Sequence, residues 1–193
     1  PRHQSCPCCG SRDIRAFFSK FGISHWVCSS CSFVFVNPYP DASTLEELYN
    51  ASYYPAVREY VEMPKARREA LDISMSIPAE DYLKIISHVV EMKSGGAWLD
   101  VGGGIGNFLK FVSLKSRGFD LYLNEMNAES KAFAASHYGL TVLPEPPVEL
   151  LRQGFGFDVI TVLSVLEHTS HPLGFIKSYG ALLKPGGIMV ISI

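Results

Sequence analysis

Two stretches of this sequence hold residues whose types and spacing can do chemistry. The first is a pair of cysteine knuckles. Cys6-Pro7-Cys8-Cys9-Gly10 and Cys28-Ser29-Ser30-Cys31 contain C-x-x-C pairs, Cys6/Cys9 and Cys28/Cys31, with eighteen residues between them. Each pair folds the chain back so that both sulfurs face one point, and two such turns close a tetrahedral shell of four thiolates, which suits zinc. Iron accepts the same ligands, so the choice of zinc rests on the ribbon-like pattern between the pairs. Four protein ligands leave no place for a water, so the metal is expected to be structural. Cys8 is the spare, because Cys9 keeps the spacing that Cys8 would break.

The second stretch is Leu99-Asp100-Val101-Gly102-Gly103-Gly104-Ile105-Gly106-Asn107-Phe108-Leu109. It reads as an apolar strand, a glycine turn and the start of a helix. Gly102, Gly104 and Gly106 let the backbone turn sharply and let a ligand approach without a Cβ in the way. The helix behind them offers free N–H groups and a positive dipole end. Glu125 lies nineteen residues beyond Gly106, at the end of Leu121-Tyr122-Leu123-Asn124-Glu125. A carboxylate at that distance is where α/β nucleotide folds hold ribose hydroxyls.

The elements that must position these groups follow from the pattern around them. Ile14–Phe18 and Ser24–Val27 read as two strands with Gly22 at the bend, which makes residues 1–40 a zinc ribbon. Phe33–Val36 reads as a further strand, ended by Pro38 and Pro40. Asp41 or Ser43 is placed to cap a short helix over Thr44–Tyr49. Tyr49, Tyr53 and Tyr54 follow, either as packing for the ribbon or with Tyr53 or Tyr54 as a lid. Residues 56–76 carry mixed charge and read as a solvated helix, part of a helical linker over 41–79. After Pro78 a helix places Leu83, Ile86, Val89 and Val90 on one face and ends at Ser94-Gly95-Gly96.

From residue 97 strands and helices alternate. The strands are 97–101, 120–125, 140–143, 157–163 and 188–193, with helices over 106–116, 128–137 and 175–183 and a short one after Pro147. In helix 106–116, Phe108, Leu109 and Val112 face inward. This alternation predicts an α/β fold with a doubly wound, mostly parallel sheet over residues 80–193.

The bulk composition narrows the classes of function. The 193 residues suit one α/β domain with a small appendage, and the 47% hydrophobic content suits a packed core. No apolar run reaches the ~20 residues of a membrane helix. No charged-then-apolar secretory leader is visible in these residues, and because the chain begins at Pro1 rather than Met a leader could have been cut away. A net charge of −2, with five basic and five acidic side chains in residues 1–60, gives no electrostatic reason for non-specific nucleic-acid binding. All five cysteines fall within the first 31 residues, a poor disulfide framework and a better metal site for a reducing, cytoplasmic compartment.

Asp100–Gly106, Glu125, Phe157-Asp158-Val159-Ile160, Leu166-Glu167-His168 and Leu182-Leu183-Lys184-Pro185-Gly186-Gly187 together resemble the class I S-adenosylmethionine-dependent methyltransferases. The resemblance covers roughly residues 80–193 and implies their Rossmann-like sheet. A ribbon leading into Phe-Val-Asn-Pro-Tyr-Pro is similar to a subgroup frequent in sugar and natural-product tailoring. By resemblance, Asp100 and the backbone of Gly102, Gly103 and Gly104 face the methionine part of S-adenosylmethionine, and Gly106 lets the helix start close by. Glu125 binds the ribose, Met126 lies against the adenine, residues 143–145 meet the adenine edge, and Leu163 lies beside the sulfur. Some relatives bind a divalent metal through Glu-x-x-Glu-His; here Ser164 stands at the first position, so no catalytic metal is expected. The family's sheet has two more strands than this chain supplies, so the chain is expected to be a fragment.

The resemblance implies methyl transfer to a small-molecule acceptor of sugar or natural-product type. A hydroxyl or carbon acceptor needs a base, for which His168 is the candidate and His171 the second. An RNA or protein methyltransferase with the ribbon as docking module is the alternative, with Trp26, Phe33 and Phe35 as stacking candidates. A binding module without turnover is the third reading. The acceptor atom and the oligomeric state are open.

Overall fold

The computed structural model describes residues 2–49, 51, 54–64, 67–68, 80–90, 95–116, 118–143 and 146–193. The chain divides into two compact units, Pro1–Pro55 with His168–Ile176, and Ala56–Glu167 with Lys177–Ile193.

In the first unit, β1 (Ile14–Lys20), β2 (Ile23–Cys28) and β3 (Val34–Val36) form an antiparallel sheet in that order. The register slips between Ala16 and Phe18, so Phe17 is the extra residue of a bulge and its ring lies 5.3 Å from that of Phe18. Cys6, Cys28 and Phe35 are the buried centre, with Trp26 and Phe33 packed against them. The aromatics expected to offer stacking faces are therefore core, while Phe17, Phe18 and Phe21 are exposed. Helix α1 (Ala42–Leu48) is capped by Asp41, whose Oδ1 accepts from the Thr44 N–H at 2.9 Å. Of the two capping candidates Asp41 takes the role, and Ser43 donates its hydroxyl to it.

Helix α2 (Tyr54–Glu62) realises the first part of the expected 56–76 helix. Residues 69–76, Tyr53 and the Ser94 stop lie outside the described residues. In the second unit, residues 80–86 are helical. Leu83, Ile86 and Val90 are buried, but Val89 is 59% exposed. The reason is that residues 87–89 form a turn, so the helical face stops at Ile86.

The large sheet has five parallel strands in the order β6-β5-β4-β7-β8: β4 (Gly96–Val101), β5 (Phe119–Asn124), β6 (Thr141–Val142), β7 (Phe157–Leu163) and β8 (Leu183–Ser192). Between them run α3 (Asn107–Lys115), α4 (Ala128–Tyr138), α5 (Pro147–Arg152) and α6 (Pro172–Gly180). Leu109 and Val112 of α3 are fully buried and Phe108 packs beside them. Trp98, Phe119 and Leu123 join the same core, where each large apolar side chain is worth about 1.5–3 kcal/mol.

Around Leu183 the helix and strand boundaries differ from the sequence reading. Helix α6 starts at Pro172, a residue suited to a first helical turn, and ends at Gly180 rather than Leu183. Leu183 already pairs with Phe157, and the Lys184–Gly187 loop bulges out of the ladder before Ile188 pairs with Val159. The apolar Leu182-Leu183 pair thus ends a turn and opens a strand instead of finishing a helix.

Strand β5 lies on one side of β4 and β7 on the other, so the order reverses at β4. In open α/β sheets a ligand crevice forms there, outside the carboxyl ends of the strands. The glycine turn leaves β4 at that point.

Candidate cofactor site and metal centre

The turn is shaped by what surrounds it. Gly106 adopts φ 85° as the N-cap of α3 and provides no side-chain cap, so no side chain competes for the first helical N–H groups. A Cβ on Gly103 would land on Asp100 Oδ2 and come within 2.7 Å of Leu123 Cδ1. Only a glycine fits there, because the Asp100 carboxylate and Leu123 fill the space a side chain would need.

Asp100 is 2% exposed near the end of β4. Its Oδ1 accepts the Thr161 hydroxyl at 2.5 Å, and Thr161 in turn accepts the Trp98 indole N–H at 3.2 Å. Burial pushes the Asp100 carboxyl up to about 7; the Thr161 bond opposes the shift and the nearby Glu125 charge adds to it. A positively charged ligand group beside it would favour the ionised form.

Glu125 follows β5. Its Oε2 accepts the Gly104 N–H at 2.9 Å, and its Oε1 accepts the N–H groups of Met126 at 2.7 Å and Asn127 at 2.8 Å. The carboxylate thereby bridges the glycine turn and the start of α4. Asn127 caps α4 by accepting the Ser130 N–H at 2.8 Å. Beneath, Asn124 donates to the Leu143 carbonyl at 2.6 Å and accepts the Tyr179 hydroxyl at 2.8 Å. The Tyr179 hydroxyl is pushed up to about 12 by burial.

The structure thus brings Asp100, Gly102, Gly103, Gly104, Gly106 and Glu125 onto the carboxyl edge of the sheet around one turn. Met126 is 91% exposed beside Glu125, and Leu163 is half-buried at the end of β7. Residues 144 and 145 lie outside the described residues. Thr161, Asn124 and Asn127 support this site and were not singled out from sequence. Thr161 carried a signal, as a polar residue in the otherwise apolar run Val159-Ile160-Thr161-Val162-Leu163. The chemistry of this donor set is compatible with S-adenosylmethionine: a glycine turn free of side chains, a buried acid at Asp100 and the Glu125 carboxylate after β5.

His168 belongs to the other unit, on the short 3₁₀ turn Leu166–His168. Its carbonyl accepts the Tyr39 hydroxyl at 2.6 Å, and its exposed ring lies edge-on to Tyr49 at 6.3 Å. His171 lies nearby in the same unit, its ring 5.6 Å from that of His3.

The four cysteines also converge. The sulfurs of Cys6, Cys9, Cys28 and Cys31 all lie within 4.8 Å of one another. The Cys6–Cys31 and Cys9–Cys28 separations are 3.7 and 3.6 Å. A tetrahedron with metal–sulfur bonds of about 2.3 Å has edges of about 3.8 Å, so the spacing fits zinc. Cys8 stands apart from this group, and its backbone N–H donates to Cys6 Sγ at 3.4 Å.

Comparison with known proteins places the chain in a family. A family model described as a methyltransferase domain matches residues 77–193, and the chain belongs to that family. A ubiquinone biosynthesis O-methyltransferase of Caulobacter vibrioides is 38% identical over 72 residues, covering 36% of this chain and 29% of that protein. One from Haemophilus ducreyi is 32% identical over 117 residues, 53% of this chain and 49% of that protein. The chain therefore spans less than half of the curated relatives it matches. Among solved structures, the plantazolicin methyltransferase BpumL in complex with a monoazolic desmethylPZN analog and SAH superposes with a TM-score of 0.52. It shares 15% identity, over 77% of this chain and 60% of that one, which shows the fold. Among the described residues no helix is long and apolar enough to cross a membrane.

Proposed function

We propose that this chain binds S-adenosylmethionine at the Gly102–Gly106 turn and belongs to an enzyme that methylates a small molecule of sugar or natural-product type. The observation that carries the reading is the Glu125 carboxylate, tied to the glycine turn by the Gly104 N–H at the point where the strand order reverses. When bound, the cofactor supplies an electrophilic methyl group on a positively charged sulfur. Asp100 and the turn backbone hold the amino-acid end, and Glu125 takes the ribose hydroxyls with Met126 over the adenine. Leu163 walls the reacting end. The relatives act, by their names, as O-methyltransferases, which favours an oxygen acceptor here.

An oxygen acceptor must lose its proton as the carbon–oxygen bond forms. We assign that proton to His168, five residues beyond the end of β7, with His171 as the second candidate. Orientation supplies most of the acceleration, up to ~7–11 kcal/mol in favourable cases. Zinc held by Cys6, Cys9, Cys28 and Cys31 orders the ribbon.

Calorimetry of S-adenosylmethionine and S-adenosylhomocysteine on this chain and its Glu125→Ala variant tests the reading. Micromolar binding that is lost in the variant supports it. Absence of binding to the folded, zinc-loaded chain, and equally to a chain extended at its C-terminus, overturns it. A salt-dependent RNA gel shift would instead favour a macromolecular substrate docked by the ribbon.

A further inference from the structure

Helix α2 reaches the glycine turn through a chain of hydroxyls. Residues 56–62 of α2 belong to the second unit, as do α3 and α4. Val57 and Tyr60 lie one helical turn apart on one face and are each 8% exposed. The Tyr60 ring stands edge-on to Phe133 of α4 at 5.7 Å, and its hydroxyl lies 3.3 Å from that of Tyr138 at the end of α4. The Tyr138 hydroxyl donates to Asn107 Oδ1 at 2.8 Å. Asn107 is the first residue of α3, directly after Gly106. A carboxamide oxygen can only accept, so the Tyr138 proton is committed to it and Tyr60 supplies the proton between the two phenols. The chain therefore runs one way, from Tyr60 to Tyr138 to Asn107.

We propose, on the S-adenosylmethionine reading above, that Tyr60 is a positioning residue for the cofactor turn, acting through Tyr138 and Asn107. Asn107 has need of such a hold. Asparagine side chains compete for nearby backbone N–H groups, and those of the first turn of α3 are the ones a ligand would meet. The bond from Tyr138 draws Oδ1 toward α4 and keeps the carboxamide from swinging across them.

Tyr138 also backs the turn directly. A Cβ on Gly106 would lie 3.7 Å from Tyr138 Cδ2 and 2.5 Å from Leu140 Cδ1. Lys110 Nζ, one turn along α3, lies 6.0 Å from the centroid of the Tyr138 ring. A displaced Tyr138 would carry the start of α3 with it.

Tyr60 is anchored on both sides. Arg58 donates from Nε and Nη2 to Glu129 Oε1 of α4 at 3.1 and 2.8 Å. Arg68 Nη1 donates to the Val61 carbonyl at 2.9 Å, and its guanidinium lies 5.2 Å from the centroid of the Phe133 ring. These ties deliver the Tyr60 hydroxyl to a fixed point on α4. Phenylalanine at 60 and 138 would fill the same space, but would leave Asn107 Oδ1 without this donor.

The test compares the zinc-loaded chain with its Tyr60→Phe, Tyr138→Phe and doubly substituted variants. Calorimetry gives the affinity for S-adenosylhomocysteine, and NMR follows the backbone and carboxamide signals of Asn107. His137→Leu is the packing control, since the His137 ring stacks on Phe133 at 4.2 Å but lies outside the hydroxyl chain. Each lost hydroxyl should weaken S-adenosylhomocysteine about fivefold, the scale of one hydrogen bond. The double variant should lose no more than Tyr138→Phe, because the two hydroxyls act in series. Both single variants should shift the Asn107 signals, Tyr60→Phe from two hydrogen bonds away. His137→Leu should lower the thermal midpoint and leave both readouts unchanged. Additive losses, unchanged affinity in Tyr60→Phe, unmoved Asn107 signals, or an equal loss in His137→Leu overturn the inference. Should Tyr138→Phe not fold, Tyr60→Phe against His137→Leu decides. Shifted Asn107 signals with no binding to the wild type, nor to a chain extended at its C-terminus, support the hydroxyl chain while removing the cofactor reading.

Discussion

The ribbon and the parallel sheet reach order by opposite means. In the ribbon the buried centre is Cys6, Cys28 and Phe35, while β1 exposes six of its seven residues. The sheet instead buries Trp98, Leu99, Leu109, Leu123 and Ile160 without residual exposure, and packs α3 and α4 on its strands. A segment with so little apolar burial does not outweigh its chain entropy, and the zinc proposed for its four converging thiolates would supply the difference. The sheet needs no such help. Its polar groups can therefore build a ligand site, while the ribbon's four converging cysteines are the groups proposed to hold metal.

Removing the metal tests that contrast most severely. Chelation, or Cys28→Ser, should unfold residues 5–36 and leave β4, β5 and β7 folded. Hydrogen exchange would then show protection falling on the order of a thousandfold or more in the ribbon and little in Trp98–Val101. Equal loss in both would break the comparison. Native mass spectrometry should find one zinc per chain beforehand.

Next in size is an insult to the ligand turn of the self-sufficient region. Gly103→Val would drive a branched side chain into Asp100 and Leu123. Overpacking of this kind costs about 1–3 kcal/mol. The variant should stay folded, with a lower thermal midpoint, and lose S-adenosylhomocysteine binding. Retained affinity would show that the turn does not cradle a ligand.

Much of this was legible in the sequence because it rests on local spacing. The C-x-x-C pairs dictate where sulfurs meet, glycines mark the turn, and strand–helix alternation dictates a parallel sheet. Glu125 was legible from its distance to Gly106, although its bond to the Gly104 N–H was not. What escaped depends on neighbours distant in sequence. Val89 continues the apolar periodicity of Leu83 and Ile86, yet the helix ends at Ile86 and turns it outward. Leu183 suits a last helical turn, yet Phe157 recruits it into β8. The Trp98–Thr161–Asp100 chain joins positions some sixty residues apart, and no local pattern announces it.

Asp100 offers the next test, through pH. Its folded carboxyl lies at about 7, above the usual 3.8, so the folded chain holds a proton that the unfolded chain has lost. This contribution to stability is complete below pH 3.8 and is lost as pH rises through about 7. The limit is about 4 kcal/mol across that window, at 1.36 kcal/mol per unit. Denaturant midpoints of the ligand-free chain should carry a falling component from Asp100, and Asp100→Asn should remove it. Cofactor binding should release a proton below pH 7 if its positive charge lies beside this group. Identical slopes in wild type and Asp100→Asn would show that Asp100 already ionises normally.

The smallest effect sharpens the contrast at the sheet's surface. Asp158 Oδ2 accepts Lys184 Nζ at 2.7 Å and the Ala97 N–H at 2.8 Å, so one carboxylate ties the start of β4 to β7 and to the Lys184–Gly187 loop. The Lys184 bond, followed by the Ala97 N–H, holds its carboxyl below the usual range. Both side chains are about 40% exposed, 44% for Lys184 and 39% for Asp158, so water screens the pair. Lys184→Met should then cost only about 0.5 kcal/mol and lose that cost in high salt. Asp158→Ala should cost about 1–2 kcal/mol, because the Ala97 N–H loses its partner, and that part should persist in salt. A double-mutant cycle in urea separates the two contributions. If Lys184→Met proved as damaging as Asp158→Ala, this part of the sheet would rest on surface charge. The distinction from the ribbon would then be one of degree, with both regions relying on polar ties where apolar burial runs out.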